Sequence, residues 1–208
     1  MQFRRFTLIV CMLSIYMTSS AQITSFVGGR VYPTFGKTRV YDGSFALGYG
    51  AGFTYVFWEY DAWFIKAGVD FVSRSSNIVD IPRYFEVPLS EELVTVDIHY
   101  TQQDIDLPVA LYYRLYEQRD NAFIVMGGMD IIYTLRTLYQ HDTYGKSIVI
   151  GDDNKQRINI GFSLGAGYQR EISNIFFINI LPTINLDIRS EKPFTYFGLT
   201  VEMIYGIY

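Results

Sequence analysis

The chain has 208 residues, 50% hydrophobic and 17% aromatic, with 18 Tyr and 16 Phe. Only 18% are charged, below the roughly 25% of ordinary soluble domains, and 21 acidic against 17 basic residues argue against nucleic acid as a partner, which calls for basic patches. No apolar run reaches the roughly 18 residues of a membrane helix, so alternating strands remain the way for this composition to meet lipid, where only helices and closed barrels satisfy the backbone.

The first segment, 1–21, reads as an export signal. Arg4 and Arg5 form a positive end, Phe6 to Met17 is an apolar core too short to span a bilayer, and Ser19-Ser20-Ala21 supplies small residues before a cut ahead of Gln22. Cys11 lies inside the apolar core and is the single cysteine. Residues 22–208 would then hold no disulfide and no thiolate metal site. Losing Arg4 and Arg5 leaves 15 basic residues against 21 acidic ones, a net charge of −6.

The mature part, 22–208, alternates with period two in stretch after stretch. Ile23 to Tyr32 is a first strand with Val27 and Val31 outward and Arg30 inward. A polar connection, Pro33 to Gly43, follows. The second strand, Ser44 to Phe57, has the sharpest pattern. Phe45, Leu47, Tyr49, Phe53, Tyr55 and Phe57 share one face, and Ser44, Gly48, Gly50, Gly52 and Thr54 share the other. A face of glycine, serine and threonine, without Lys or Glu, suits the crowded inside of a small barrel whose bulky face meets lipid. The opposite arrangement, a soluble barrel with the bulky face inward, would put Gly48, Gly50, Gly52, Gly165 and Gly167 on a water-facing surface, where glycine weakens a strand.

After a turn at Glu59-Tyr60-Asp61, the third strand is Ala62 to Arg74, with Lys66, Gly68, Asp70 and Arg74 inward. Ser75 to His99 reads as a long connection broken by Pro82 and Pro88, whose end alternates again from Glu92. The fourth strand, Tyr100 to Tyr116, turns Asp104, Asp106, Ala110, Tyr112 and Arg114 inward. The fifth, Ala122 to Leu135, carries Asp130 inward. Arg136 to Arg157 is a second long connection. Three more strands follow: Ile158 to Glu171, Ile175 to Ile188, and Phe194 to Tyr208. Strands of this length cross hydrocarbon when tilted. Short turns alternate with longer connections, so the pattern predicts an all-β protein. It is an eight-stranded antiparallel up-and-down transmembrane β-barrel with both termini periplasmic and the long connections outside. Trp58, Trp63, Tyr113, Tyr116 and Phe176 fall at strand ends, where amphipathic rings favour the water boundary.

Several of these residues carry a likeness. Asp106-Leu107-Pro108-Val109-Ala110-Leu111-Tyr112-Tyr113-Arg114 resembles a strand of the small outer-membrane β-barrel proteins of Bacteroidota, and Gly127-Gly128, Gly161 to Tyr168 and the Ala21-Gln22 junction fit the same family. The resemblance covers nearly all of the mature chain. It implies an outer-membrane barrel with no assigned reaction; some members of the family resemble accessory parts of the type IX secretion and gliding apparatus. The chain departs from the pattern at its end, where Tyr208 falls on the inward parity.

The inward face is expected to gather Arg30, Lys66, Asp70, Asp104, Asp106, Arg114, Asp130 and Glu202, together with Arg74 and Asp187, into a structural network that plugs the lumen, since eight strands enclose only a side-chain-filled space. A proton or cation path is the alternative use of such charges. Tyr84, Phe85, Tyr139, His141 and Tyr144 mark the long connections 75–99 and 136–157 as candidate binding surfaces. Catalytic, cofactor and metal residues are not expected. His99 and His141 have serines and acids nearby in sequence, as a lipid hydrolase would need, but these are common loop residues. Asp152-Asp153-Asn154 lacks a calcium loop's ligand spacing, and Gly48-x-Gly50-x-Gly52 lies within a strand with no helix after it. The expected partners are outer-membrane lipid and other envelope or secretion proteins.

Overall fold

The computed structural model describes residues 25–38, 43–84, 93–143, 146–149, 158–188 and 194–207. The expected export signal, 1–21, and Tyr208 lie outside these residues. The strands are β1 (Ser25–Thr38), β2 (Gly43–Tyr60), β3 (Trp63–Tyr84), β4 (Leu93–Gln118), β5 (Asn121–Thr143), β6 (Lys146–Val149), β7 (Ile158–Ser173), β8 (Phe176–Ile188) and β9 (Phe194–Ile207). Every pairing is antiparallel, in the order β4-β3-β2-β1-β9-β8-β7-β5. The β4–β5 pairing closes the circle into an eight-stranded barrel. The short β6 rides on the end of β5. Closure leaves no free edge through the barrel wall.

At one end the strands are joined by two-residue turns, Asp61-Ala62, Arg119-Asp120 and Asn174-Ile175. Asp61 and Arg119 both adopt φ of 53°. Asp visits this left-handed region more readily than Arg does.

The period-two sequence produces an inside-out distribution of side chains. Outward residues are bare, with Phe53 77% exposed, Leu47 71%, Ile158 69% and Leu164 65%. Inward residues are polar yet sealed, with Arg74 at 1% and Gln102 and Asp104 at 0%. On β7 the apolar outward face runs from Ile158 to Tyr168. At about 3.3 Å per residue and a tilt of about 40°, that stretch is ~25 Å tall, the height of a hydrocarbon core band. Near the turn end Trp63 packs 4.3 Å from Tyr113, and Tyr60 and Tyr116 are 71% and 62% exposed, as an aromatic girdle requires. The side chain of Trp58 lies outside the described residues.

The long connections are corrected by the structure. Residues 75–84, 93–99 and 136–143 continue the ladders of β3, β4 and β5, so β4 is 26 residues long where β8 is 13. Pro82 does not break the strand because it pairs with Thr95 beyond the last β2 partner of β3, Gly43↔Ile78. On that edge no ladder bond to β2 is lost. Pro33, expected in a connection, likewise sits within β1, where the β1–β9 register passes from Val31 to Thr34. The outward parity changes character along the extension: on β3 Phe71 is succeeded by the buried Ser73 and Ser75 and then the exposed Asn77, and on β4 Ile105 is succeeded by Gln103, Thr101 and the exposed His99. The sheet therefore continues past the apolar belt as a polar wall built from β3, β4 and β5, with β6 on its flank.

Candidate functional site: the barrel lumen

The interior is organised by basic side chains at successive depths. Nearest the turns is Arg114 on β4, which reaches Glu59 of β2 at 2.8 Å. Its Nε donates to Gln169 Oε1 of β7 at 3.0 Å, Nη1 donates to the Asp61 carbonyl at 3.3 Å, and the guanidinium lies 4.8 Å over the Phe64 ring. One side chain thus ties three strands and a turn across the mouth of the barrel. A cleft of about 150 Å³, lined by Glu117, Arg119 and Glu171 among others, opens outside it.

Deeper in, Lys66 of β3 pairs with Glu202 of β9, both 3% exposed. Thr54 Oγ1 and Asn179 Nδ2 each donate to the same carboxylate at 2.7 Å. The Lys66 ammonium also sits 4.0 Å over the Tyr112 ring. A buried ion costs several kcal/mol unless its remaining bonding sites are filled; here two neutral donors and a ring do the filling.

At mid-depth Arg30 of β1 grips Asp70 of β3 with two bonds, Nε to Oδ1 at 2.9 Å and Nη2 to Oδ2 at 2.5 Å, and the Tyr32 hydroxyl donates to Oδ2 at 2.8 Å. The two strands are not neighbours. The pair closes over β2, where Gly52 stands opposite both Arg30 and Asp70. A Cβ on Gly52 would fall 2.7 Å from Asp70 Cα, and one on Gly50 would fall 2.7 Å from the Tyr32 hydroxyl oxygen. The glycine face of β2 is the floor on which Tyr32 and the Arg30–Asp70 pair lie.

Furthest from the turns, Arg74 of β3 binds both Asp104 and Asp106 of β4. Its Nη2 donates to Tyr196 OH at 3.1 Å, and the guanidinium lies 4.7 Å over that ring. Gln102 Nε2 donates to both oxygens of Asp104 at 2.7 and 2.6 Å, and its Oε1 accepts from Tyr100 OH at 2.9 Å. Asp70 and Asp106 stand directly opposite on the β3–β4 ladder, an arrangement that repels unless compensated; Arg30 pairs with the first and Arg74 with the second.

The structure therefore brings Arg30 to Asp70, Lys66 to Glu202, and Arg74 to Asp104 and Asp106, while Arg114 forms its own cluster with Glu59. Asp130 is 6% exposed and lines the central cavity, but makes no hydrogen bond or ion pair among the described residues. That cavity is about 50 Å³, room for about three waters. Tyr32, Tyr196, Gln102, Gln169 and Glu59 are part of the network and were not singled out from sequence. The signal for the tyrosines was available: each falls on the inward parity, and a buried phenol needs a partner for its hydroxyl.

Of the candidate surface residues, Tyr84 and Tyr139 lie on described backbone with side chains outside the described set, as is the side chain of His141. Phe85 and Tyr144 lie wholly outside it. His99 Nδ1 lies 2.6 Å from Asn77 Oδ1 on the polar wall.

The fold defines the class: a closed eight-stranded antiparallel barrel of the outer-membrane type, with apolar side chains outside and ion pairs buried within. No protein-family model matches the chain, and a comparison with curated sequences finds no match. Among solved structures, Neisserial surface protein A (NspA) superposes with a TM-score of 0.54 at 9% identity, over 88% of this chain and 97% of that one. Ail, the attachment invasion locus protein of Yersinia pestis, gives 0.43 at 13% identity, over 88% and 100%. The N-terminal β-barrel domain of Pseudomonas aeruginosa OprF gives 0.35 at 10%, over 86% and 97%. At such identities the likeness to NspA concerns the fold alone.

Proposed function

We propose that this chain is an integral outer-membrane barrel with a side-chain-filled lumen, whose role is structural or one of surface interaction: it presents the wall of β3, β4, β5 and β6 to partners outside the cell. The observation that carries this reading is the reversal of the usual core. Aromatic and aliphatic residues are bare on the outside, and ion pairs are sealed within. Lipid is the solvent in which that arrangement is stable. The turns then face the periplasm with both termini, and the strand extensions face outward.

A single-cysteine experiment, made in a Cys11→Ser background because Cys11 is the one cysteine of the sequence, tests orientation and display together. Asn77→Cys, on the exposed wall, reacts with a membrane-impermeant maleimide on intact cells; Gln118→Cys, beside a turn, reacts only after lysis. The reverse pattern contradicts the reading. A second role, as accessory subunit of a secretion machine of the kind the Bacteroidota resemblance implies, draws on the same wall, which offers a ladder for a large partner. Stable co-purification with export components from detergent extracts would favour it over the first reading.

A further inference from the structure

On its outward face β1 ends in Phe35 and Lys37, at the end of the barrel away from the turns. Phe35 pairs with Phe197 across the β1–β9 ladder. Phe45 arrives from β2, where the register with β3 shifts between Phe45 and Tyr49; a bulge of this kind re-aims a side chain. Its ring stacks on Phe35 at 5.0 Å and 12°, and reaches across β1 to within 6.2 Å of Phe197. Three rings from three strands form one ridge, each ring at least 37% exposed. The Lys37 ammonium stands 5.4 Å over the Phe45 ring, and among the described residues no carboxylate lies within ion-pair distance of it. Inside the barrel Lys66, Arg30, Arg74 and Arg114 each hold an acid; Lys37 lies on the outward parity.

We infer that Lys37, with the Phe35–Phe45–Phe197 ridge, is a binding site for the phosphate-bearing headgroup of a membrane lipid, the ammonium taking the phosphate and the rings taking the upper part of an acyl chain. This rests on the membrane residence proposed above. The placement follows from two costs. An ammonium inside hydrocarbon is expensive, so a lysine at the rim of the belt sits where headgroups begin. There it is left with an anionic surface to bind, worth roughly a five-fold preference for a single lysine. The ridge continues the lipid-facing belt through Leu199 without a polar break, so the occupant that fits is an amphiphile with a negative head.

The test is lipid retention. The folded barrel is taken up in micelles holding equal phosphatidylcholine and phosphatidylglycerol, and the lipid that remains bound is counted by native mass spectrometry. Wild type retains phosphatidylglycerol in about five-fold excess, Lys37→Gln abolishes the excess, and Lys37→Arg keeps it. Arg119→Gln, which removes an exposed cation from a turn at the opposite end of the barrel, leaves it unchanged. Equal retention of the two lipids by wild type overturns the inference, as does an excess that survives Lys37→Gln or is stripped by inorganic phosphate. Each variant is first checked for heat-modifiable gel mobility. A barrel that passes this check and shows no preference sinks only the headgroup site, whereas a chain that never inserts sinks the membrane reading itself.

Discussion

At the scale of single residues, the lumen network makes unequal predictions for residues of the same type. Asp70 holds Arg30 by two bonds and Tyr32 by a third, so Asp70→Ala leaves a buried guanidinium without its acid and lowers the unfolding free energy by about 3–5 kcal/mol. Asp106→Ala leaves Arg74 still bound to Asp104, and the loss is smaller, about 1–3 kcal/mol. Asp130→Asn removes no hydrogen bond among the described residues and stays within about 1 kcal/mol of wild type. Urea titration of the three variants in vesicles orders them; an Asp130 variant as damaged as Asp70→Ala would contradict the assigned contacts. Gly50→Val drives a side chain into the Tyr32 ring and costs about 1–3 kcal/mol by overpacking. Arg119→Gly, at a φ of 53°, raises stability by up to about 1 kcal/mol in the same assay.

Which side of the sheet each charge occupies was legible from parity alone: Arg30, Lys66, Asp70, Asp104, Asp106 and Glu202 all lie inward as the alternation requires. Their pairing was not legible. Arg30 meets an acid two strands away because Gly52 between them has no side chain, and Lys66 meets Glu202 across the interior. Barrel stagger decides which depths face each other, and no local pattern encodes it.

At the scale of strands, period two located every wall strand but placed several ends short. A proline interrupts a strand only where a neighbouring strand is present to miss its N–H, so Pro82 reads as a loop in the sequence while β3 continues through it. The consequence is a barrel whose β3–β5 side is taller than its β8–β9 side. Since the wall beyond Ile78 and Ile98 pairs with no β2 partner, it is not needed to close the circle. Replacing residues 79–97 by a short Asn-Gly turn leaves the folded barrel intact, with heat-modifiable mobility unchanged, while abolishing surface binding. Loss of folding in that deletion would show that the extension is part of the barrel's own stability. On the belt, Leu164→Arg near mid-depth costs about 2–4 kcal/mol, and a change at Ile158 near the rim costs less.

At the scale of the whole molecule, one physical claim organises the rest: the hydrophobic surface of this protein is its outside. The proposed plug follows from it: with Arg30, Lys66, Arg74 and Arg114 held to acids across the lumen, single-channel recordings of the wild type in a planar bilayer are expected to show no steps. Large, regular steps would show the network open. The claim itself is tested most directly by fractionating cells and running the outer-membrane pellet on a gel with and without boiling. The account predicts that the chain sediments with the outer membrane, leaves it only in detergent, and migrates faster unboiled than boiled. Recovery in the soluble fraction, with mobility indifferent to boiling, would contradict it.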